Sequence, residues 1–183
     1  MSREISKLLS LILRHDPGKY GITLDANGWT PIDPLIAKVR GAGNPGFDRA
    51  ALDAVVENND KKRFTISQDG LRIRAAQGHS VIVDLGIAPS RPPATLFHGT
   101  AISNLDSIMS QGLLPGKRQQ VHLSLERETA TKVGGRHGKP IVLTVASERM
   151  FENGIQFFQA ENGVWLTDRV AAEYLTLDDL RDS

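Results

Sequence analysis

Apolar residues recur at Ile5, Leu8, Leu9 and Ile12, three and four positions apart, which is the stripe of an amphipathic helix. That helix should stop before Pro17, because the residue ahead of a proline avoids the helical region. Arg14 and His15 then sit at its C-terminal end, where cations complement the helix dipole. Ile22-Thr23-Leu24, the turn Asp25-Ala26-Asn27-Gly28 and Trp29-Thr30 predict a short hairpin. Asp33-Pro34 predicts a cap and first position for a second helix running to about Arg40. Asp48 predicts the cap of a third helix, with Ala51, Leu52, Val55 and Val56 on one face. Phe64–Ser67 and Leu71–Arg74 flank Gln68-Asp69-Gly70 as a second hairpin. Three short helices closed by a hairpin predict a winged-helix module, a relative of the helix-turn-helix.

Periodicity is lost between Asp84 and Ala94, where Pro89, Pro92 and Pro93 cluster, and this marks a domain boundary. Beyond it, Thr95-Leu96-Phe97 reads as a strand that ends by delivering His98-Gly99-Thr100. A helix follows, with Ile102, Leu105, Ile108 and Met109 inward and Gly112 just past its end. Val121–Ser124 alternates as a strand, Leu125–Val133 is helical, and Gly134-Gly135-Arg136-His137-Gly138 reads as a flexible loop. Ile141–Val145 is a β-branched strand, and Glu161-Asn162-Gly163 turns the chain into a last strand through Thr167. The class is α+β, with one lobe over 1–88 and a second over 94–183.

Composition narrows the setting. The apolar fraction of 40% is ordinary for a soluble globular chain. No apolar run reaches the roughly 18–20 residues that span a bilayer. Arg3, Glu4 and Lys7 interrupt any apolar signal core, so a cytoplasmic location and no membrane association are expected. Cysteine is absent, which excludes disulfides and thiolate metal sites. Residues 1–93 carry 13 Lys/Arg against 10 Asp/Glu, and residues 94–183 carry 9 against 11. That asymmetry is too mild to establish nucleic-acid binding by charge alone. It says only which half would face phosphates.

The chemistry-bearing motifs are few. Gly41-Ala42-Gly43-Asn44-Pro45-Gly46 matches the dinucleotide fingerprint in letters only. A helix precedes it where a strand is needed, and Pro45 removes a backbone N–H. There is no phosphate loop of the Gly-Lys-Ser/Thr kind, no His-Glu-x-x-His, and no carboxylate cluster with metal-ligand spacing. No metal is expected, so phosphates would be met by arginine, histidine and backbone N–H groups. The planar fork of arginine suits phosphate oxygens. Asp60-Lys61-Lys62-Arg63-Phe64 is a basic turn. Gln77-Gly78-His79-Ser80, following Arg72-Ile73-Arg74, suits RNA or phosphate contacts and equally suits a loop joining domains.

Taken in order, Ser6–His15, Asp60–Phe64, Gln77–Ser80, Phe97-His98-Gly99-Thr100, Arg118 with Val121–Ser124, and Glu161–Val164 resemble the NAD-dependent RNA 2′-phosphotransferase family, also called tRNA 2′-phosphotransferase. The resemblance covers nearly the whole chain, and six motifs in register are far more specific than any one. It implies a winged-helix lobe followed by an ADP-ribosyltransferase-like lobe. It also implies removal of an internal RNA 2′-phosphate left at a tRNA splice junction. NAD⁺ would be the consumed co-substrate, RNA the partner, and no protein partner is required. The products would be RNA with a 2′-OH, nicotinamide and ADP-ribose 1″,2″-cyclic phosphate, reached through an RNA-2′-phospho-ADP-ribose intermediate.

The family's catalytic set maps onto Arg14, His15, Arg63 and Arg118. Its NAD pocket maps onto His98, Gly99, Thr100 and His122, with Leu123, Ser124, Arg136, Gly163 and Val164 as further cofactor contacts. Lys61, Lys62, Arg74, Gln77, His79 and Ser80 are the expected RNA contacts. Val164 stands where protein-modifying ADP-ribosyltransferases carry a glutamate, and Glu161 lies three positions earlier. That leaves open an ADP-ribosyltransferase acting on nucleic acid or protein, and the first half of the chain by itself leaves open a non-enzymatic winged-helix nucleic-acid-binding sensor.

Overall fold

A computed structural model describes residues 2–136 and 138–177. His137, which the sequence places in the glycine-rich loop, lies outside the described residues, as do positions 178–183. The chain divides into two compact units, Met1–Gly86 and Ile87–Ser183. Among the described residues no helix is long and apolar enough to cross a membrane.

The first unit holds helices α1 (Ser2–Arg14), α2 (Ile32–Gly41) and α3 (Arg49–Glu57). They pack on an antiparallel sheet of β1 (Thr30–Pro31), β2 (Phe64–Ile66) and β3 (Arg72–Ala75), ordered β1-β3-β2. Of the α1 stripe, Ile5, Leu9 and Ile12 are buried and Leu8 is half-buried, and Leu13 joins them in the core. Each such burial stabilises by about 1.5–3 kcal/mol. Asp48 caps α3 as expected, its Oδ1 accepting from Ala51 N at 2.8 Å. The hairpin from Phe64 forms with Ile66 opposite Ile73. The segment from Ala42 to Asp48 joins two helices, so the literal glycine fingerprint has no strand behind it.

Two local expectations are corrected. Ile22–Leu24 forms no strand, although the turn does form. Asp25 N bonds Trp29 O at 2.9 Å, and Asp25 Oδ1 accepts from Asn27 N and Trp29 N. Thr30 pairs instead with Ile73, because the free edge of β3 offers a partner that continues a larger sheet. Helix α2 begins at Ile32 rather than after Asp33. Pro31 is its cap without a side-chain bond, and Ile32 N is satisfied by Leu71 O at 3.0 Å. Pro34 fits in the first turn because an N–H there would lack a helical partner anyway.

The second unit runs β4 (Leu96–Ala101), α4 (Leu105–Gln111), β5 (Val121–Leu123), α5 (Arg127–Gly134) and β6 (Pro140–Val145). It continues through α6 (Ser147–Glu152), β7 (Phe158–Gln159), β8 (Trp165–Thr167) and β9 (Leu175–Leu177). Two antiparallel sheets result, β4-β6-β9 and β5-β8-β7. A bridge stitches them together: Phe97 N bonds Ser124 O at 2.9 Å and Ser124 N bonds Phe97 O at 2.8 Å. Leu96, Leu123, Leu143, Met150 and Phe157 fill the core.

Three expectations change here. His98-Gly99-Thr100 does not end a strand but lies inside β4, with His98 opposite Leu143 and Gly99 opposite Val142. Gly134 belongs to α5 and is buried, so the loop begins only after it. On α4, Leu105 and Ile108 pack inward while Ile102 and Met109 are 39% and 42% exposed. Ile102 lies in a 3-10 turn before the helix, so the α-helical phase does not carry back to it.

Candidate functional site

In the first unit the end of α1 is held by a segment 65 residues away. Ser80 N donates to Arg14 O at 2.8 Å, and Ser80 Oγ lies 2.9 Å from His15 Nδ1. Gly78, at φ +88, sets its backbone against the Arg14 guanidinium, where an added Cβ would lie 3.7 Å from that group. Arg63 stands just before β2, and its main-chain carbonyl accepts from Ala76 N, just past β3, at 2.8 Å. The main chain at Arg14 and Arg63 and the ring of His15 thus all meet residues 76–80. Two elements of secondary structure and one returning loop hold them.

His79 supports this cluster from inside. It is 2% exposed, and its Nε2 makes no hydrogen bond among the described residues. Burial first, then the charges of Arg14, Arg74 and His15, push it from the ordinary 6.5 down to about 4. It is therefore neutral at physiological pH, and an imidazolium there would add a charge beside two guanidiniums. Gly28, at φ +85, makes room for the ring, since a Cβ would stand 3.3 Å from Nε2.

In the second unit a relay fixes two histidines. Arg118 Nη1 donates to His122 Nδ1 at 2.7 Å, which makes Nδ1 an acceptor and leaves the proton of the neutral ring on Nε2. The His122 carbonyl accepts from His98 Nδ1 at 3.1 Å, which leaves His98 Nε2 as an acceptor. One ring offers a donor and the other an acceptor. Burial holds His98 below the usual imidazole range, against the opposing pull of that carbonyl, and Arg118 adds to the effect. Arg118 as a whole is exposed. Even so, burial and then the Arg136 guanidinium push it down, which places the two arginine charges near each other. It remains a cation. Such a pair of neighbouring guanidiniums beside two oriented imidazoles suits a polyanion that also carries hydroxyl groups.

The other expected positions fall into three groups. Lys61, Lys62 and Ser80 are exposed, and Gln77 is half-buried. Arg74 is 8% exposed and donates to the carbonyls of Leu85 and Asn27 at 3.2 and 3.4 Å, so it braces the unit from within. With His79 it has little surface left for an RNA strand. Leu123 is 1% exposed, and its side chain belongs to the core. At Gly99 an added Cβ would stand 1.6 Å from Ala130 O, so the missing side chain lets α5 approach β4 closely. Gly134 meets β4 in the same way, its Cβ position 2.7 Å from Thr100 O.

Thr100 Oγ1 accepts from Asn104 Nδ2 at 3.2 Å. Ser124 contributes its backbone to the bridge between sheets. Gly163, at φ +87, turns β7 into β8, and Val164 N bonds Asn162 Oδ1 at 3.2 Å beside that turn. Glu161 is exposed in the same turn.

The sequence reading passed over Trp29. The Arg74 guanidinium stacks 4.4 Å from its ring centre, and Arg72 stands 5.5 Å from it. The signal was available: a tryptophan after a tight turn, and two arginines spaced to share one face of a strand.

Comparison with known proteins shows the family. The family model for RNA 2'-phosphotransferase, Tpt1 / KptA family, matches residues 1–169. A probable RNA 2'-phosphotransferase of Agrobacterium fabrum is 56% identical over 177 residues, covering 97% of this chain and 95% of that protein. One from Pseudomonas syringae pv. tomato is 54% identical over 174 residues, covering 94% and 92%. One from Flavobacterium johnsoniae is 49% identical over 175 residues, covering 96% of each chain.

Proposed function

We propose a function from one premise: the chain belongs to the RNA 2'-phosphotransferase, Tpt1 / KptA family. The protein is an enzyme that removes an internal 2′-phosphate from RNA, of the kind left at a tRNA splice junction, with NAD⁺ as the acceptor. The first unit is read as a winged helix, from its order of α1, β1, α2, α3, β2 and β3. The second is read as ADP-ribosyltransferase-like, with its paired antiparallel sheets. NAD⁺ supplies the ribose carbon to which the phosphate moves. The donor set fits it: a ribose hydroxyl can donate to His98 Nε2 or accept from His122 Nε2, and a pyrophosphate matches Arg118 and Arg136. The single observation carrying this reading is the relay from Arg118 through His122 to His98.

In the first step an oxygen of the RNA 2′-phosphate attacks C1″ of the nicotinamide ribose. The bond from C1″ to the ring nitrogen breaks, and nicotinamide leaves with the electron pair. The nucleophile needs no base, since a phosphomonoester is largely dianionic at neutral pH, its second pKa being about 6. Arg14 and Arg63 hold and orient it. In the second step the ribose O2″ attacks phosphorus and gives its proton to His15. The P–O2′ bond breaks, and the RNA oxygen takes up a proton to become a 2′-OH. Negative charge gathers on the phosphoryl oxygens, where guanidiniums stabilise it.

The test mixes the protein with NAD⁺ and 2′-phosphorylated RNA and follows nicotinamide, 2′-OH RNA and ADP-ribose 1″,2″-cyclic phosphate. All three are expected in equal amounts. Nicotinamide without the cyclic phosphate would point instead to ADP-ribosyl transfer. His98→Ala should raise the KM for NAD⁺ about tenfold, the loss of one good hydrogen bond, with RNA affinity unchanged. Equal loss of both, together with a lower melting temperature, would make His98 a structural histidine.

A further inference from the structure

We infer that Ser80 is a positioning residue that sets the tautomer of His15, rather than an RNA contact. The inference rests on the role given to His15 above. The contacts that carry it are four. Arg14 O, near the end of α1, accepts Ser80 N at 2.8 Å and Val81 N at 3.4 Å. Ser80 Oγ lies 3.5 Å from that same carbonyl and 2.9 Å from His15 Nδ1. A hydroxyl has one hydrogen to donate. If that hydrogen goes to Nδ1, the carbonyl oxygen 3.5 Å away receives nothing from the hydroxyl. If it goes to the carbonyl, the hydroxyl lone pair faces Nδ1 and must receive a proton from it. Only the second arrangement satisfies both contacts.

The consequence is chemical. A proton held on Nδ1 leaves the Nε2 of a neutral His15 as a lone pair, the form a base needs to take the O2″ proton. The opposite tautomer would present a hydrogen to that hydroxyl. The backbone bonds from residues 80 and 81 to Arg14 O belong to the helix end and are indifferent to the side chain at 80. The helix end is therefore held by main chain, while the ring is steered by the hydroxyl. Ser80 plays toward His15 the part that an acceptor plays toward the Nδ1 of any histidine base.

The experiment uses the full chain with ¹⁵N-labelled histidine and reads the ring nitrogens of His15 at alkaline pH, with its signals assigned by their loss in His15→Gln. Wild type should carry the proton on Nδ1, with Nε2 unprotonated. Ser80→Thr, which keeps the hydroxyl, should look like wild type. Ser80→Ala should lose that preference and spread the proton over both nitrogens. In single turnover with 2′-phosphorylated RNA and NAD⁺, Ser80→Ala should slow conversion of the intermediate about tenfold, a part of the 10²–10⁴-fold that proton transfer contributes. Formation of the intermediate should change less than threefold, and Ser80→Thr should restore the second step.

A wild-type ring with its proton on Nε2, or a ring unmoved by Ser80→Ala, overturns the inference and leaves the role of His15 intact. A ring that shifts as expected while the second step is unchanged upholds the setting of the tautomer by Ser80 and overturns the role of His15 as the base. A Ser80→Ala protein whose loss is entirely in RNA affinity returns Ser80 to the RNA contacts.

Discussion

The two cationic clusters differ in how they are held. Around Arg14 and His15 the partners are distant in sequence: Ser80, Gly78 and a buried His79 come from a loop more than 60 residues downstream. Around Arg118 the key partner is four residues away, and the next histidine is reached through one main-chain carbonyl. The first cluster depends on the whole unit being folded, and it places a neutral imidazole among arginines. The second is a local relay laid across two neighbouring strands, β4 and β5, with the bridge at Phe97 and Ser124 beside it. A cluster built by long-range closure should answer to global stability and pH. A cluster built locally should answer mainly to the identity of its own side chains.

The largest effect expected is on chemistry. Arg118→Ala and Arg63→Ala should each slow the second step by 10²–10³-fold, about 3–4 kcal/mol, while the first step suffers less. Intermediate should accumulate in a single-turnover time course, and His15→Ala should behave alike. Arg14→Ala joins them if its guanidinium meets the phosphate. If all lose both steps in proportion, the arginines bind substrate and the division of labour is wrong.

Next comes the packing of the second unit. Gly99→Ala sets a methyl 1.6 Å from Ala130 O, a backbone atom that α5 cannot withdraw cheaply. Overpacking of this kind should cost about 3 kcal/mol or more, read as a shift in urea midpoint. Gly78→Ala meets nothing nearer than 3.7 Å and is strained only through its φ of +88, so it should cost about 1–2 kcal/mol. A Gly99→Ala protein as stable as wild type would mean that α5 yields to the added methyl.

The third test is pH. His79 has its folded-state pKa depressed from 6.5 to about 4, so its neutral form is the one favoured by folding. Above about 6.5 the ring is neutral in both states and carries no penalty. As pH falls from about 6.5 toward 4 the unfolded chain takes up a proton that the folded chain refuses, and stability drops by on the order of 2–3 kcal/mol. His79→Gln should flatten that part of the urea midpoint against pH curve. An unchanged slope would mean that other groups set it. The smallest effect is local: Asp48→Ala should remove about 1 kcal/mol through its lost cap to Ala51 N, with no change in either chemical step.

By itself the sequence determined whatever repeats or closes over a few residues. The stripe of α1, the cap at Asp48, the β2–β3 hairpin and the α+β class follow from spacing and turn chemistry within one short window. The ordered run of motifs marked the family and named Arg14, His15, Arg63, Arg118, His98 and His122 as residues to watch. What only the tertiary structure decided depends on partners far along the chain. Thr30 leaves its neighbour for Ile73 because a sheet edge is a better partner than three residues of isolated ladder. His98, Gly99 and Thr100 fall inside β4 because β6 continues to pair with them. Gly99 is a glycine because α5 lies on it, and nothing near position 99 announces that helix's backbone. Ser80 reads as polar surface until it is found against His15, 65 residues earlier. Periodicity encodes which face of an element is buried. The atom that meets that face is set by chain closure over long distances, where the cost of ordering the loop is offset by contacts that no local window contains.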